Sequence, residues 1–169
     1  MELLTWTISH QVFVPELDDE HQGIFVALGA LQTALAHDGP AAEILQATDS
    51  LVASIKGHFA HEDRLMRAAR YASRAWHQRL HASARKRVTQ YTEMLREGTP
   101  GAGNDLVTYL SAWLHDHTLV ADRMLGAFLR NQCRTGKITL QASTRPVGDC
   151  VWVDKNGDPF VPQAGKRIL

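Results

Sequence analysis

The sequence contains little cysteine, no long apolar run and no excess of charge of either sign. Its two cysteines, Cys133 and Cys150, form no CxxC pair and are predicted to be reduced thiols. No uninterrupted apolar stretch approaches the roughly 18 residues that cross a bilayer, so no membrane span is expected. The 18 basic and 18 acidic residues give zero formal charge, which argues against a protein that binds nucleic acid or a membrane surface.

The length and the composition predict one small domain with an appendage. Hydrophobic residues make up 44% of the 169, enough for an apolar core. The segment Met1 to Val14 mixes polar and apolar residues and lacks the basic and apolar regions of a secretory signal. A cytoplasmic protein is therefore expected.

Apolar residues recur at three- and four-residue steps in four stretches, which predicts four amphipathic helices. An extended arm, residues 1–17, precedes them; Pro15 is expected to end it, with Asp18 and Asp19 as N-cap candidates. The predicted helices cover about residues 18–36, 41–67, 74–97 and 105–132. Short connections make neighbouring helices antiparallel, so residues 1–132 are expected to form an all-α, up-down-up-down four-helix bundle.

The last part of the chain, residues 133–169, has a different character. Ile138–Leu140 and Val151–Val153 are typical of short strands, and Phe160 with Val161 is a third candidate. Asn156-Gly157 lies between the last two and favours a β-hairpin. Because a lone hairpin is marginally stable in water, this extension is expected to pack on the bundle, on a protein partner or on a second copy. Its role does not follow from the sequence.

Five histidines and two carboxylates lie on the inward stripes of the four predicted helices. Residues four apart share one helix face, so the pairs His58/Glu62 and His77/His81 each reach a common point. His117 and Asp122 are five apart and diverge by about 140° on an ideal helix, so they are expected to approach the site from two sides. Imidazole suits iron, and carboxylates can bridge two ions. The candidate metal ligands are His21, His58, Glu62, His77, His81, His117 and Asp122.

Each of these residues taken singly is more often structural than a ligand, and only their convergence favours a metal site. A structural zinc site needs four ligands, whereas seven are available here. Four other histidines do not fit the stripes and are interpreted as surface or supporting residues: His10, His37, His61 and His115. His115 competes with His117 for the ligand position, and the four-residue step from Trp113 favours His117.

At these residues the chain resembles the hemerythrin family, most closely its bacterial members. The resemblance covers roughly residues 6 to 130 and includes every candidate ligand. The matching segments are Val14–His21, His58–Glu62, His77–His81 and Trp113–Asp122.

The resemblance implies two iron ions bridged by carboxylates and an oxo or hydroxo group. It implies that His77, His81 and His117 hold one iron and that His21 and His58 hold the other, which keeps an open position for dioxygen. Glu62 and Asp122 are the implied bridges; the implied oxygen pocket is lined by Ile24, Phe59, Trp113, Leu114 and Thr118.

Two positions depart from the family pattern. Thr118 stands where a larger aliphatic residue is usual, which places a hydroxyl in the implied pocket. Phe13 stands where glycine is usual, which is expected to alter how the arm packs.

Three functions are compatible with this pattern. Reversible dioxygen binding, as carrier, store or delivery protein, is favoured, and the chain is then not an enzyme. A di-iron peroxidase or nitric oxide reductase is the first alternative, although oxygen-activating sites are richer in glutamate and use Glu-x-x-His pairs. An oxygen or redox sensor, with residues 133–169 reporting the state of the iron, is the second.

Overall fold

The computed structural model describes residues 5–135, together with the backbone of two short strands at 152–153 and 159–160. The elements are a 3₁₀ helix Ile8–His10, α1 Pro15–Ala36, α2 Ala41–Ala68, α3 Arg74–Arg96, α4 Ala102–His117, a π-helical segment Thr118–Asp122, α5 Arg123–Arg134, β1 Trp152–Val153 and β2 Pro159–Phe160. α1 packs on α2 and α4, and α3 packs on the same two helices. The predicted four-helix bundle is confirmed, because α4, the π segment and α5 follow one another without a break. In the described part of the chain, no helix has both the length and the apolar character needed to cross a membrane.

The prediction for the first helix boundary was wrong. Helix α1 begins at Pro15 and not near residue 18, because the fixed φ and missing N–H of proline suit the first helical position. Asp18 therefore lies inside the helix and does not cap it. Its buried carboxylate accepts a hydrogen bond from the backbone N–H of Val12 at 2.7 Å, which ties the preceding arm to α1.

The arm was predicted to be extended, but residues 8–10 form the 3₁₀ helix. Within the arm, Ile8 is 76% exposed, whereas Val12 and Val14 are buried. Arg123 of α5 donates to the Ser9 carbonyl at 2.6 Å, fixing the arm beside the π segment.

Phe13 occupies the left-handed region, with φ of 59°. A side chain costs roughly 1–2 kcal/mol in this region, whereas glycine adopts it freely. The guanidinium of Arg130 lies 5.3 Å from the centre of the Phe13 ring and donates to the Val12 carbonyl. Glycine is therefore expected at this position because the backbone has a positive φ. In this chain the cation–π contact with Arg130 offsets part of the strain.

The π segment changes the geometry that the sequence predicted for the fourth helix. In a π turn the hydrogen bond spans five residues, so positions five apart lie on one face. His117 and Asp122, at the two ends of this turn, therefore face the same way. The predicted divergence was wrong because it assumed ideal α-helical geometry.

Two apolar clusters fill the bundle, one on each side of the candidate ligands. The large cluster contains Ile24, Phe25, Leu28, Leu31, Leu51, Ile55, Phe59, Ala84, Val88, Leu106, Val107, Leu110 and Leu114. The small cluster contains Val12, Val14, Leu17, Leu65, Met66, Ala69, Tyr71, Leu125 and Leu129. On α1, for example, His21 falls between Leu17 of the small cluster and Ile24 of the large one.

The two strands of the C-terminal extension pair antiparallel, with Trp152 opposite Phe160 and Val153 opposite Pro159. This pairing agrees with the predicted hairpin. The predicted strand Ile138–Leu140 and the turn Asn156-Gly157 lie outside the described residues. The expectation that residues 133–169 bind a partner or self-associate stays a prediction.

Gly126→Ala should detach the arm from α5. A Cβ at Gly126 would lie 2.4 Å from the Val12 carbonyl oxygen, closer than any normal contact. We expect the free energy of unfolding, measured by urea denaturation, to fall by about 1–3 kcal/mol. Gly23→Ala is the matched control, since nothing lies within 4 Å of its Cβ position and alanine should stabilise helix α1 by roughly 0.5–1 kcal/mol. Equal stability of the two variants would contradict the contact.

Candidate metal centre

The seven candidate ligands meet in one layer between the two apolar clusters. α1 supplies one side chain, α2 and α3 supply two each, and α4 with the π segment supplies two. Every one of them is at most 5% exposed. They are His21, His58, Glu62, His77, His81, His117 and Asp122.

Three imidazoles and two carboxylates form the larger group of donors. The Nε2 atom of His81 lies 3.1 Å from that of His77 and 3.1 Å from that of His117. The Oε2 atom of Glu62 lies 3.1 Å from both the His77 and the His81 Nε2 atoms. With Asp122, these residues place five donor atoms within 4.8 Å of one another.

A smaller group of donors lies next to the first and shares Asp122 with it. The Nε2 atoms of His21 and His58 are 3.1 Å apart. Oδ2 of Asp122 lies 3.1 Å from the His21 Nε2, while its Oδ1 lies 2.9 Å from the His117 Nε2. The Asp122 carboxylate therefore contacts both groups, with one oxygen directed to each. Glu62 favours the larger group, since its Oε2 is 3.7 Å from the His58 Nε2.

The spacing of these donors fits a first-row metal ion. Two ligands at right angles, each about 2.1 Å from an ion, lie about 3.0 Å apart. The nitrogen separations of 3.1 Å within each group match that value. Buried imidazoles that turn their Nε2 atoms towards one another, with carboxylates beside them, are a donor set for cations. Both groups therefore fit a metal ion.

The carboxylates of this layer are ionised. Burial and the charge of Asp122 oppose ionisation of Glu62, but His58, His77 and His81 outweigh both and lower the pKa of Glu62 to about 2. Burial likewise opposes ionisation of Asp122, yet the imidazoles of His117, His21 and His77 hold its pKa well below the usual range. Two negative charges inside an apolar bundle require positive partners, which are protons or metal ions.

The imidazoles show how that charge is balanced by protons. Burial disfavours the charged form of His77, but its bonds to Asp122 and Glu62 prevail and raise its pKa to about 9. Burial lowers the pKa of His81, despite the attraction of Glu62. A metal ion at this position would take over the role of the His77 proton, since ligand imidazoles bind as neutral bases.

Glu20 supports the site and was missed by the sequence analysis. Its Oε2 accepts a hydrogen bond from the His58 Nδ1 at 2.9 Å, and its Oε1 one from the His61 Nδ1 at 2.7 Å. Burial opposes ionisation of Glu20, but the hydrogen bonds from both imidazoles lower its pKa to about 2. The sequence feature that could have indicated this role is the position of Glu20 directly before His21, one residue off the inward stripe.

The other histidines lie outside the layer, as interpreted. The His115 Nδ1 atom is 3.4 Å from the Nε2 of His10, so His117 and not His115 lies in the layer. His10 is itself only 4% exposed, because its ring packs 4.9 Å from that of Phe25. His37 is exposed at the end of α1.

Four of the five predicted pocket residues belong to the large cluster or pack against it. The Phe59 ring stacks on His81 at 3.8 Å between centroids, and Trp113 stacks on His117 at 4.1 Å. Ile24 and Leu114 are buried in the large cluster. Thr118 is 1% exposed, and its Oγ1 has no hydrogen-bond partner among the described residues.

Known proteins resemble the chain over this same region. The hemerythrin HHE cation binding domain matches residues 12–129. A bacteriohemerythrin of Stenotrophomonas maltophilia is 32% identical over 117 residues, covering 69% of this chain and 75% of that protein. Myohemerythrin-1 of Phascolopsis gouldii is 26% identical over 121 residues, covering 72% of this chain and 90% of its own.

Among solved structures, a crystal structure of a hemerythrin variant superposes with a TM-score of 0.70 at 26% identity, covering 76% of this chain and 98% of that one. The region matched by the family, residues 12–129, contains all seven residues of the metal layer. The chain belongs to the hemerythrin family.

Proposed function

We propose that this chain binds dioxygen reversibly at a non-haem di-iron centre. The observation that carries the proposal is the division of the donors into two groups that share one carboxylate, Asp122. Two groups within one layer suit two ions, and imidazole with carboxylate suits iron. The names of the relatives, bacteriohemerythrin and myohemerythrin, point to the same chemistry.

The two groups offer unequal numbers of donors, which assigns a role to each ion. His77, His81 and His117 would hold one iron, together with both carboxylates. His21 and His58 would hold the other, which receives one imidazole fewer and so keeps a position for dioxygen. Asp122, whose two oxygens face the two donor groups, would be shared by the ions, and Glu62 would be the second shared carboxylate.

Two ferrous ions would supply the electrons that dioxygen accepts on binding. The protein's part is to hold the donors rigidly and to keep water and further protons away. The buried side chains of Ile24, Phe59 and Leu114 provide an apolar wall for this purpose, each at most 2% exposed. A dry pocket of this kind favours release of dioxygen over its further reduction.

Donor chemistry favours binding over enzymatic turnover. The layer contains five imidazoles and only two carboxylates, paired as His-x-x-x-Glu and His-x-x-x-His. Oxygen-activating bundles use more glutamates and Glu-x-x-His pairs. We therefore propose an oxygen-binding protein and not a peroxidase or nitric oxide reductase.

The direct test is anaerobic loading with ferrous iron, followed by optical spectra while air is added and then removed. We expect two irons per chain and charge-transfer bands that appear with air and vanish on deoxygenation. Bands that form once and do not reverse would contradict the proposal. Steady oxidation of an added reductant would do so too, and either outcome would favour a redox enzyme.

Glu62→Ala should reduce the iron content below two per chain. The substitution removes an ionised oxygen that contacts two imidazoles of the larger group and approaches His58 of the smaller one. Iron per folded chain is measured after desalting, with helical circular dichroism to confirm folding. Glu43→Ala, at an exposed position of α2, is the control and should retain both irons. A Glu62→Ala protein with two irons and normal oxygen binding would refute the assignment.

Thr118→Val should slow autoxidation of the oxygenated protein. The change removes a buried hydroxyl without altering the side-chain shape. The proposed pocket then has one polar group fewer that could bind water or donate a proton. The metal-free protein should also gain about 1 kcal/mol in unfolding free energy, because a buried unpaired hydroxyl is lost. The decay of the oxygenated spectrum is compared with that of Thr33→Val, an exposed position on α1. Equal lifetimes would show that the hydroxyl does not reach the pocket chemistry.

A further inference from the structure

The five ligand imidazoles differ in what their second nitrogen contacts. In the described part of the chain, the Nδ1 atoms of His21, His77 and His81 are buried without a hydrogen-bond partner. The Nδ1 of His58 instead lies 2.9 Å from the Oε2 of Glu20. His58 belongs to the smaller donor group, so this carboxylate contact falls on the side with fewer ligands.

Both oxygens of Glu20 are engaged, which fixes the orientation of its carboxylate. Oε1 accepts from His61, a neighbouring residue of the same α2 face that is 17% exposed. His61 in turn approaches Glu16, with 3.7 Å between its Nε2 and the Glu16 Oε2. Glu20 is therefore held from both sides while its side chain stays one-third exposed, at 33%.

An ionised carboxylate is only an acceptor, so the contact dictates where His58 carries its proton. The proton must lie on Nδ1, and the lone pair on Nε2 is then directed into the smaller group. Imidazole ligands held in this way are also more basic and better oriented towards a metal. Among the described residues, the Nδ1 of His21, the other imidazole of that group, has no such contact.

We propose that Glu20 is the positioning residue of the smaller donor group: by accepting the His58 Nδ1 proton, it fixes the tautomer and ring orientation that the second ion requires. The inference rests on the proposed two-ion centre and adds to it a residue that touches neither ion. It predicts an asymmetric effect. Loss of Glu20 should weaken the ion held by His21 and His58 and spare the ion held by His77, His81 and His117.

The first experiment is a calorimetric titration of the metal-free full chain with Co(II), with the ion count checked by elemental analysis. Wild type should bind two ions. In Glu20→Ala the weaker-bound ion should lose 10–100-fold in affinity, the usual effect of removing such a hydrogen-bond partner, while the tighter one is unchanged. Glu16→Ala is the matched control, because it removes a carboxylate of α1 that lies near His61 but has no described contact with His58.

The second experiment observes His58 directly. Protein with ¹⁵N-labelled histidine is loaded with Zn(II), and the ring N–H resonances are recorded by NMR. The His58 Nδ1 proton, identified by its loss in His58→Gln, should be the one that is shifted downfield and protected from exchange by the carboxylate. That signal should disappear or move upfield in Glu20→Ala and remain in Glu16→Ala.

Glu20→Gln keeps the size of the side chain and serves if the alanine variant fails to fold. Its amide oxygen can accept from one imidazole only and without charge, so an intermediate loss of affinity and an intermediate shift are expected. Unchanged affinity for the second ion in the Glu20 variants, or an unmoved His58 resonance, would overturn the proposal. So would a wild-type chain that binds only one ion.

The outcomes separate this inference from the proposed function. If the Glu20 effects on Co(II) and Zn(II) binding are found but the iron-loaded protein does not bind dioxygen reversibly, the positioning role stands and the oxygen function fails. If dioxygen binds reversibly while Glu20 can be replaced without effect on either readout, the function stands and the positioning role fails.

Discussion

A layer of seven polar side chains crosses the bundle between two apolar clusters, and the charge of this layer must be balanced inside the protein. Two ionised carboxylates in an interior without water are costly unless cations stand beside them. The layer joins all four helices of the bundle, so whatever balances its charge also holds the helices together. Because the two carboxylates depend on imidazoles from other helices, the stability of the bundle and the occupancy of the centre are thermodynamically linked.

The four helices of the bundle direct their donors inward by different local geometries. The middle two helices use the four-residue step of an α-helix, as in His77 and His81. α1 contributes one donor to the layer, His21, and adds the carboxylate of Glu20, which contacts His58 of the neighbouring helix α2. The last helix departs from α geometry and uses a π turn between His117 and Asp122, which points both side chains to the layer. The unequal donor groups follow from this unequal supply.

Much of the fold and of the metal layer could be predicted, because amphipathic periodicity and four-residue ligand pairs are properties of sequence alone. The π turn could not, since a five-residue spacing looks divergent when ideal helix geometry is assumed. Glu20 was missed because a carboxylate beside the inward stripe resembles an ordinary solvated residue, and its role depends on a neighbouring helix. The start of α1 was misplaced because Pro15 was taken as a breaker and not as a first helical residue. The sequence showed that Phe13 replaces an expected glycine, but only the backbone shows that this position has a positive φ, which is why glycine would suit it.

The π turn also determines which kind of genetic change this helix tolerates. A π turn is an α-helix with one residue inserted, so the helices on both sides keep their faces although the count between the ligands rises to five. Loss of one residue from the exposed side of the turn, where Val120 is 54% exposed, would leave a four-residue step like those of α2 and α3. A deletion is normally ruinous inside a packed helix, but here it would keep both ligands in phase. A one-residue deletion between His117 and Asp122 would therefore be expected to keep both side chains in the donor layer.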